Sequence, residues 1–169
     1  MLLGQGIGRG ALLVMAGLIT NGLQLRARYR CCISMAAVDS ATVGRARGSL
    51  QLGDVERGPG GGVRYVTVRL RTPGLDAAVR ICAHYATGFD ELVAFFGELA
   101  DGWRGWQGER TYESLEHDLR FTAVHDGHVR LSICLRQTST PSGWSASAVI
   151  QLDPGEELIQ AAADLAALL

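Results

Sequence analysis

LRFTAVHDGHVRLSICLR, residues Leu119 to Arg136, is the stretch that decides the fold. Leu119, Phe121 and Ala123 alternate with Arg120, Thr122 and Val124. Beyond Asp126-Gly127 a second run sets Leu131, Ile133 and Leu135 among Arg130, Ser132 and Cys134. A period of two marks a strand with one buried face. Asp-Gly between two such runs predicts a two-residue hairpin turn, whose central residues need positive φ. The segment therefore reads as an antiparallel hairpin, with His125 and His128 a cross-strand pair about 5 Å apart at Cβ.

The same period recurs on both sides. Upstream, Gly48–Val55 reads as a short strand, and Arg57–Gly62 (RGPGGG) as a turn. Val63–Arg71 places Val66, Val68 and Leu70 on one face and arginines mostly on the other; Leu75–His84 follows after Thr72-Pro73-Gly74. The period then lengthens. Phe89, Leu92, Phe96, Leu99 and Trp103 recur at three or four residues, predicting an amphipathic helix from Thr87 or Gly88 whose buried stripe ends in Trp103. Residues between that helix and the hairpin read as a short strand or loop. Downstream, Trp144–Leu152 alternates again. A last helix runs to Leu169, with Asp153 as cap, Pro154 at its first position and Leu158, Ala162, Leu165 and Leu169 buried. The expected class is α+β: a largely antiparallel sheet of about six strands with two helices packed on one face. Residues 35–169 read as a single domain, with neither internal repeat nor linker.

Residues 1–34 read as a separate extension. They carry Arg9, Arg26, Arg28 and Arg30 and no acid, whereas the remainder has 12 arginines against 17 acids. Gly4, Gly6, Gly8 and Gly10 miss the dinucleotide-binding spacing, and no strand precedes them. The apolar run Ala11–Leu25 is shorter than the ~20 residues of a membrane span, and its positive charges follow it, the wrong side for an export signal. The break in composition before Met35 predicts translation from Met35, with an untranslated, disordered or short apolar helical extension ahead of it.

All 16 basic residues are arginine and none is lysine, the mark of a high-GC coding bias rather than of phosphate binding. A mildly acidic body argues against nucleic acid as partner. Cys31, Cys32, Cys82 and Cys134 form no CxxC or zinc spacing, which favours free thiols and a cytoplasmic location. GxSxG, HExxH and phosphate-loop motifs are all missing from the sequence, and no cofactor is expected.

Two constellations carry chemistry. Glu109, Glu113, Glu116 and Asp118, edged by Trp106 and Tyr112, form an acidic aromatic segment suited to docking a basic protein partner. His125 and His128, with His117 as third ligand, could hold a metal for assisted hydrolysis.

Three motifs, Trp103-x-Gly105-Trp106-x-Gly108, Tyr112-Glu113-Ser114-Leu115-Glu116 and His125-Asp126-Gly127-His128-Val129, together resemble a family of small actinobacterial proteins known as domain of unknown function family 6228. The resemblance covers roughly Val63 to Leu169, and implies an α+β fold but no reaction. More loosely, the plan is similar to immunity proteins of the wall-associated toxin type, which carry an SLEG-like turn. Here that turn reads Ser114-Leu115-Glu116-His117, with His117 in the glycine's place. The resulting expectation is a non-catalytic, immunity-like binding protein of the cytoplasm. It docks a basic partner through Trp106, Glu109, Tyr112, Glu113, Glu116 and Asp118. The alternative is a metal-assisted hydrolase built on His125 and His128.

Overall fold

The computed structural model describes residues 39–45, 47–138 and 142–169; the expectation for residues 1–34 lies outside them. The elements follow one another as β1 (Ser40–Arg45), β2 (Gly48–Arg57), β3 (Val63–Thr72), β4 (Leu75–Cys82), α1 (Asp90–Asp101), β5 (Glu109–Glu113), β6 (Leu119–His125), β7 (Val129–Arg136), β8 (Ser145–Leu152) and α2 (Glu156–Leu168).

The α+β class and the antiparallel pairing agree with the sequence, but the strands form two sheets, not one. Strands β1 to β4 make one four-stranded meander and β5 to β8 another. Alternation reveals which side of a strand is buried, not which sheet the strand joins, and α1 breaks the meander between β4 and β5. Strand β1 escaped the sequence reading because its buried side chains, Ala41 and Val43, are small and few. Helices α1 and α2 pack against each other; α2 lies on β1 and β2, and α1 against β5. Phe95 and Phe96 of α1 carry that contact on to Phe121 of β6, at 5.7 and 5.6 Å between ring centroids. Apolar side chains of both sheets and both helices join one core cluster, in which Leu50, Leu52, Leu70, Phe96, Phe121, Leu131 and Leu135 are fully buried.

Four strands and a helix thus occur twice, and the two halves correspond in register. In the first sheet Leu52, Val68 and Val79 face one another in turn, as do Leu50, Leu70 and Ala77. In the second the matching rows are Phe121, Ile133 and Ala148, then Leu119, Leu135 and Ala146. Helix α1 begins Asp90-Glu91-Leu92-Val93 and α2 begins Glu156-Glu157-Leu158-Ile159. Their buried positions also match: Leu92, Phe95, Phe96, Gly97 and Leu99 correspond to Leu158, Ala161, Ala162, Ala163 and Leu165. The sequence carries no visible repeat because matched positions share burial rather than residue type, as Leu52 with Phe121 and Phe96 with Ala162, and the loops between them differ in length. The β2–β3 turn is the long glycine-rich one; its β6–β7 counterpart is short.

The halves hold each other at the helix ends. The last carbonyls of a helix lack intrahelical partners, and neither helix has a basic residue in its last turn. Arg57 Nη2, from β2, donates to the Leu168 carbonyl of α2 at 3.0 Å, and Arg110 Nη1, from β5, donates to the Glu98 carbonyl of α1. Each half's arginine therefore closes the other half's helix.

Two local expectations are corrected. His125 pairs with Val129, so the β6–β7 loop has three residues, and His125 and His128 do not face each other. A two-residue turn would need positive φ at both Asp126 and Gly127; only Gly127 has it (φ 97°). At the start of α2 it is Gly155 that sits at the cap position. Asp153 lies outside the helix; its N–H donates to Glu157 Oε2 at 3.3 Å.

Candidate functional site

Strand β5 is one of the two outer strands of the second sheet, β8 being the other. Arg110 and Tyr112 point to the covered side, while Glu109, Thr111 and Glu113 are exposed. The Tyr112 ring anchors the strand, 6.1 Å from Phe95 and 5.8 Å from Phe121 between centroids. Burial, and then the charge of Glu91, push the Tyr112 hydroxyl up to about 12.

The loop after β5 is tightly bonded. Ser114 is buried; its N–H donates to the Leu119 carbonyl at 2.8 Å, and its Oγ accepts the Leu119 N–H at 3.0 Å. The His117 N–H donates to the Ser114 carbonyl at 2.9 Å, closing a turn in which His117 has φ 59°. Asp118 is also buried, its Oδ1 accepting the Thr138 hydroxyl at 2.6 Å and its carbonyl the Arg136 N–H at 2.8 Å. Of the acidic residues singled out from the sequence, Asp118 is therefore bonded inward. Glu109, Glu113 and Glu116 face solvent, and Glu113 pairs with His117 Nδ1 at 3.1 Å.

The tryptophan motif builds the support behind β5. Gly105 (φ 126°) and Gly108 (φ 79°) take conformations that glycine adopts without penalty. They let the chain turn from α1 into β5. Trp106 is half-buried against the core. It lies between His125, whose ring stands edge-on at 5.0 Å, and the Arg110 guanidinium at 4.6 Å. His125 Nε2 lies 3.2 Å from the Trp103 carbonyl, and its Nδ1 lies 3.4 Å from the Gly127 N–H. Trp103 is not core: the helix ends two residues before it, and it is 40% exposed with Arg104 over its ring.

The three histidines singled out from the sequence go to different partners. His117 meets Glu113, His125 meets the Trp103 carbonyl, and His128 Nδ1 meets Asp153 at 3.3 Å. Among the described residues, no three His, Cys, Asp or Glu side chains gather into a metal-holding group. Cys82 and Cys134 are half-buried free thiols; Cys31 and Cys32 lie outside the described residues. The arginines expected on a wet sheet face divide between the two sheets. Arg69 and Arg71 face Asp76, and Arg80 pairs with Glu56 and stacks on Tyr65, all on the first sheet; Arg130 meets Asp126 on the second.

One arrangement had no sequence signal. His84 Nδ1 accepts the N–H groups of Ala86 (3.2 Å) and Thr87 (3.3 Å), folding the β4–α1 loop so that Tyr85 stands 88% exposed. No described helix is long and apolar enough to cross a membrane.

No curated protein and no solved structure matches the chain. The model of one family, described as a family of unknown function (DUF6228), matches residues 41–169, a span that takes in both halves, the tryptophan loop and the β5 edge. The chain belongs to that family, DUF6228.

Proposed function

We propose that this chain is a non-catalytic protein-binding module, immunity-like in kind, that docks a basic partner along β5 and the open face of the second sheet in the cytoplasm. The observation that carries the reading is the division of labour in residues 106–118. Trp106, Tyr112, Ser114 and Asp118 are spent on holding the edge rigid, while Glu109, Glu113 and Glu116 stay exposed along it. Exposed carboxylates on a rigid edge strand and the turn after it speed encounter with an oppositely charged surface and exclude wrong partners. Within the described residues, β5 makes backbone bonds only to β6, so its outer edge is open to an added strand. The turn after β5 supports the looser likeness to wall-associated-toxin-type immunity proteins. His117, in the place of their glycine, has the positive φ (59°) that glycine favours.

The test is association kinetics with the products of the immediately adjacent genes, each expressed and presented to the full chain at low and high salt. A neighbour with a basic face is expected to bind. The triple variant Glu109→Gln, Glu113→Gln, Glu116→Gln should slow its association at least about tenfold and flatten the salt dependence. Binding unchanged in the triple variant, or no neighbour bound, overturns the reading.

A further inference from the structure

The open face of the first sheet contains a hollow of about 320 Å³, lined by Asp39, Ser40, Gln51, Gly53, Asp54, Thr67 and Arg69. Its origin is local. Ser40, Gly53 and Thr67 stand side by side across β1, β2 and β3, and Gly53 leaves the middle of that row without a side chain. Beside it the β2–β3 register shifts between Gly53 and Glu56, and Asp54 takes φ 48° at the bulge. Bulges re-aim side chains, and a non-glycine residue in the left-handed region is a strain that the surrounding structure must sustain. Here the strain places Asp54 on the rim of the hollow.

Arg69 is the unusual member. Of the three arginines on this face, Arg80 is held by Glu56 and the Tyr65 ring, and Arg71 Nε is 3.3 Å from Asp76. Arg69 Nε lies 3.8 Å from the Asp76 carboxylate, too far for a hydrogen bond, and is buried with no hydrogen-bond partner. The side chain as a whole is 42% exposed, so the outer end of its guanidinium stays open to solvent. An arriving carboxylate would meet that outer end, since the guanidinium fork matches carboxylate geometry. A simple anion would also meet Asp39 and Asp54, which repel it. A ligand bearing a carboxylate and an ammonium satisfies all three charges at once, and Ser40, Gln51 and Thr67 supply neutral hydrogen-bonding groups around it.

We infer that the hollow over β1, β2 and β3 is a binding site for a small zwitterion of the α-amino-acid class, its carboxylate on Arg69 and its ammonium toward Asp39 and Asp54. The site is on the other sheet from the β5 edge and does not depend on the docking role proposed above.

The test is calorimetric titration of the full chain with the free amino acids singly, and with acetate and methylammonium as anion-only and cation-only controls. At least one amino acid is expected to bind, at least tenfold more tightly than either control. Arg69→Gln and Asp54→Asn should each weaken it at least tenfold, with far-UV circular dichroism unchanged. Asp54→Gly, which relaxes the bulge but removes the carboxylate, should weaken it as much as Asp54→Asn does. Failure of every amino acid to bind, binding as strong for acetate, or affinity unchanged in Arg69→Gln overturns the inference.

Discussion

Replacing Phe121 with alanine tests whether the two halves share one core. Phe121 is fully buried and meets Phe95 and Phe96 of α1 and Tyr112 of β5. Truncating a buried phenylalanine to alanine costs about 3–5 kcal/mol, and each lost ring pair adds about 0.5–1.5 kcal/mol beyond area alone. The upper part of the first range is therefore expected, about 4–5 kcal/mol. At about 2–4 °C per kcal/mol for a chain of this size, the melting temperature should fall by roughly 10–20 °C. Leu52→Ala, at the matching position of the first half, should cost about 2–5 kcal/mol. The assay uses two probes. Trp103, Trp106 and Trp144 all lie beyond α1, so tryptophan fluorescence reports the second half alone, whereas far-UV circular dichroism reports both. With one shared core, the two probes coincide in the wild type and both variants, and Leu52→Ala shifts the fluorescence transition as far as the dichroism one. Fluorescence unmoved by Leu52→Ala, or a loss below about 1.5 kcal/mol in Phe121→Ala, refutes the reasoning.

Three further outcomes follow from the geometry. Tyr112 is neutral in the fold up to about 12 but ionises near 10 once unfolded. Its contribution is complete below pH 10 and lost as pH rises from 10 towards 12, so the wild type should lose more stability across that window than Tyr112→Phe, as urea midpoints would show. Arg57→Ala takes the arginine donor from the Leu168 carbonyl and should cost about 1 kcal/mol by chemical denaturation; Arg110→Ala takes a second donor from the Glu98 carbonyl, which keeps the Gly102 N–H, and also uncovers Trp106, and should cost a similar amount. His117→Gly should raise or preserve stability, since glycine relieves the φ of 59°, whereas His117→Val should lower it by about 1–2 kcal/mol; thermal melts distinguish the two.

Much of the fold was legible in the sequence because inward-facing residues alternate so regularly. Val66, Val68 and Leu70, and Leu131, Ile133 and Leu135, are all buried as their spacing requires. What alternation could not convey was partnership. Nothing in Leu75–Cys82 says that it lies at the edge of one sheet while Glu109–Glu113 begins another. The hairpin was legible as a hairpin, but one residue of loop length separated two facing histidines from two that point to different neighbours. At the candidate site the acids were visible and their fates were not. Glu116 and Asp118 sit two residues apart in like company, yet only Asp118 meets Thr138, a partner supplied by a distant loop. The hollow beside Arg69 left no trace, because its shape comes from a bulge and a missing side chain at Gly53 rather than from any run of residue types.

The crossed placement of the helices bears on how the chain can be divided. Helix α1 rests against β5 and β6, and α2 on β1 and β2, while the connection between α1 and β5 is a short glycine-containing segment around Gly105. A cut there would yield two fragments, each with a helix shaped for the other fragment's sheet and an arginine shaped for the other's helix. Such fragments should find each other when mixed, which makes this a natural frame for a split reporter.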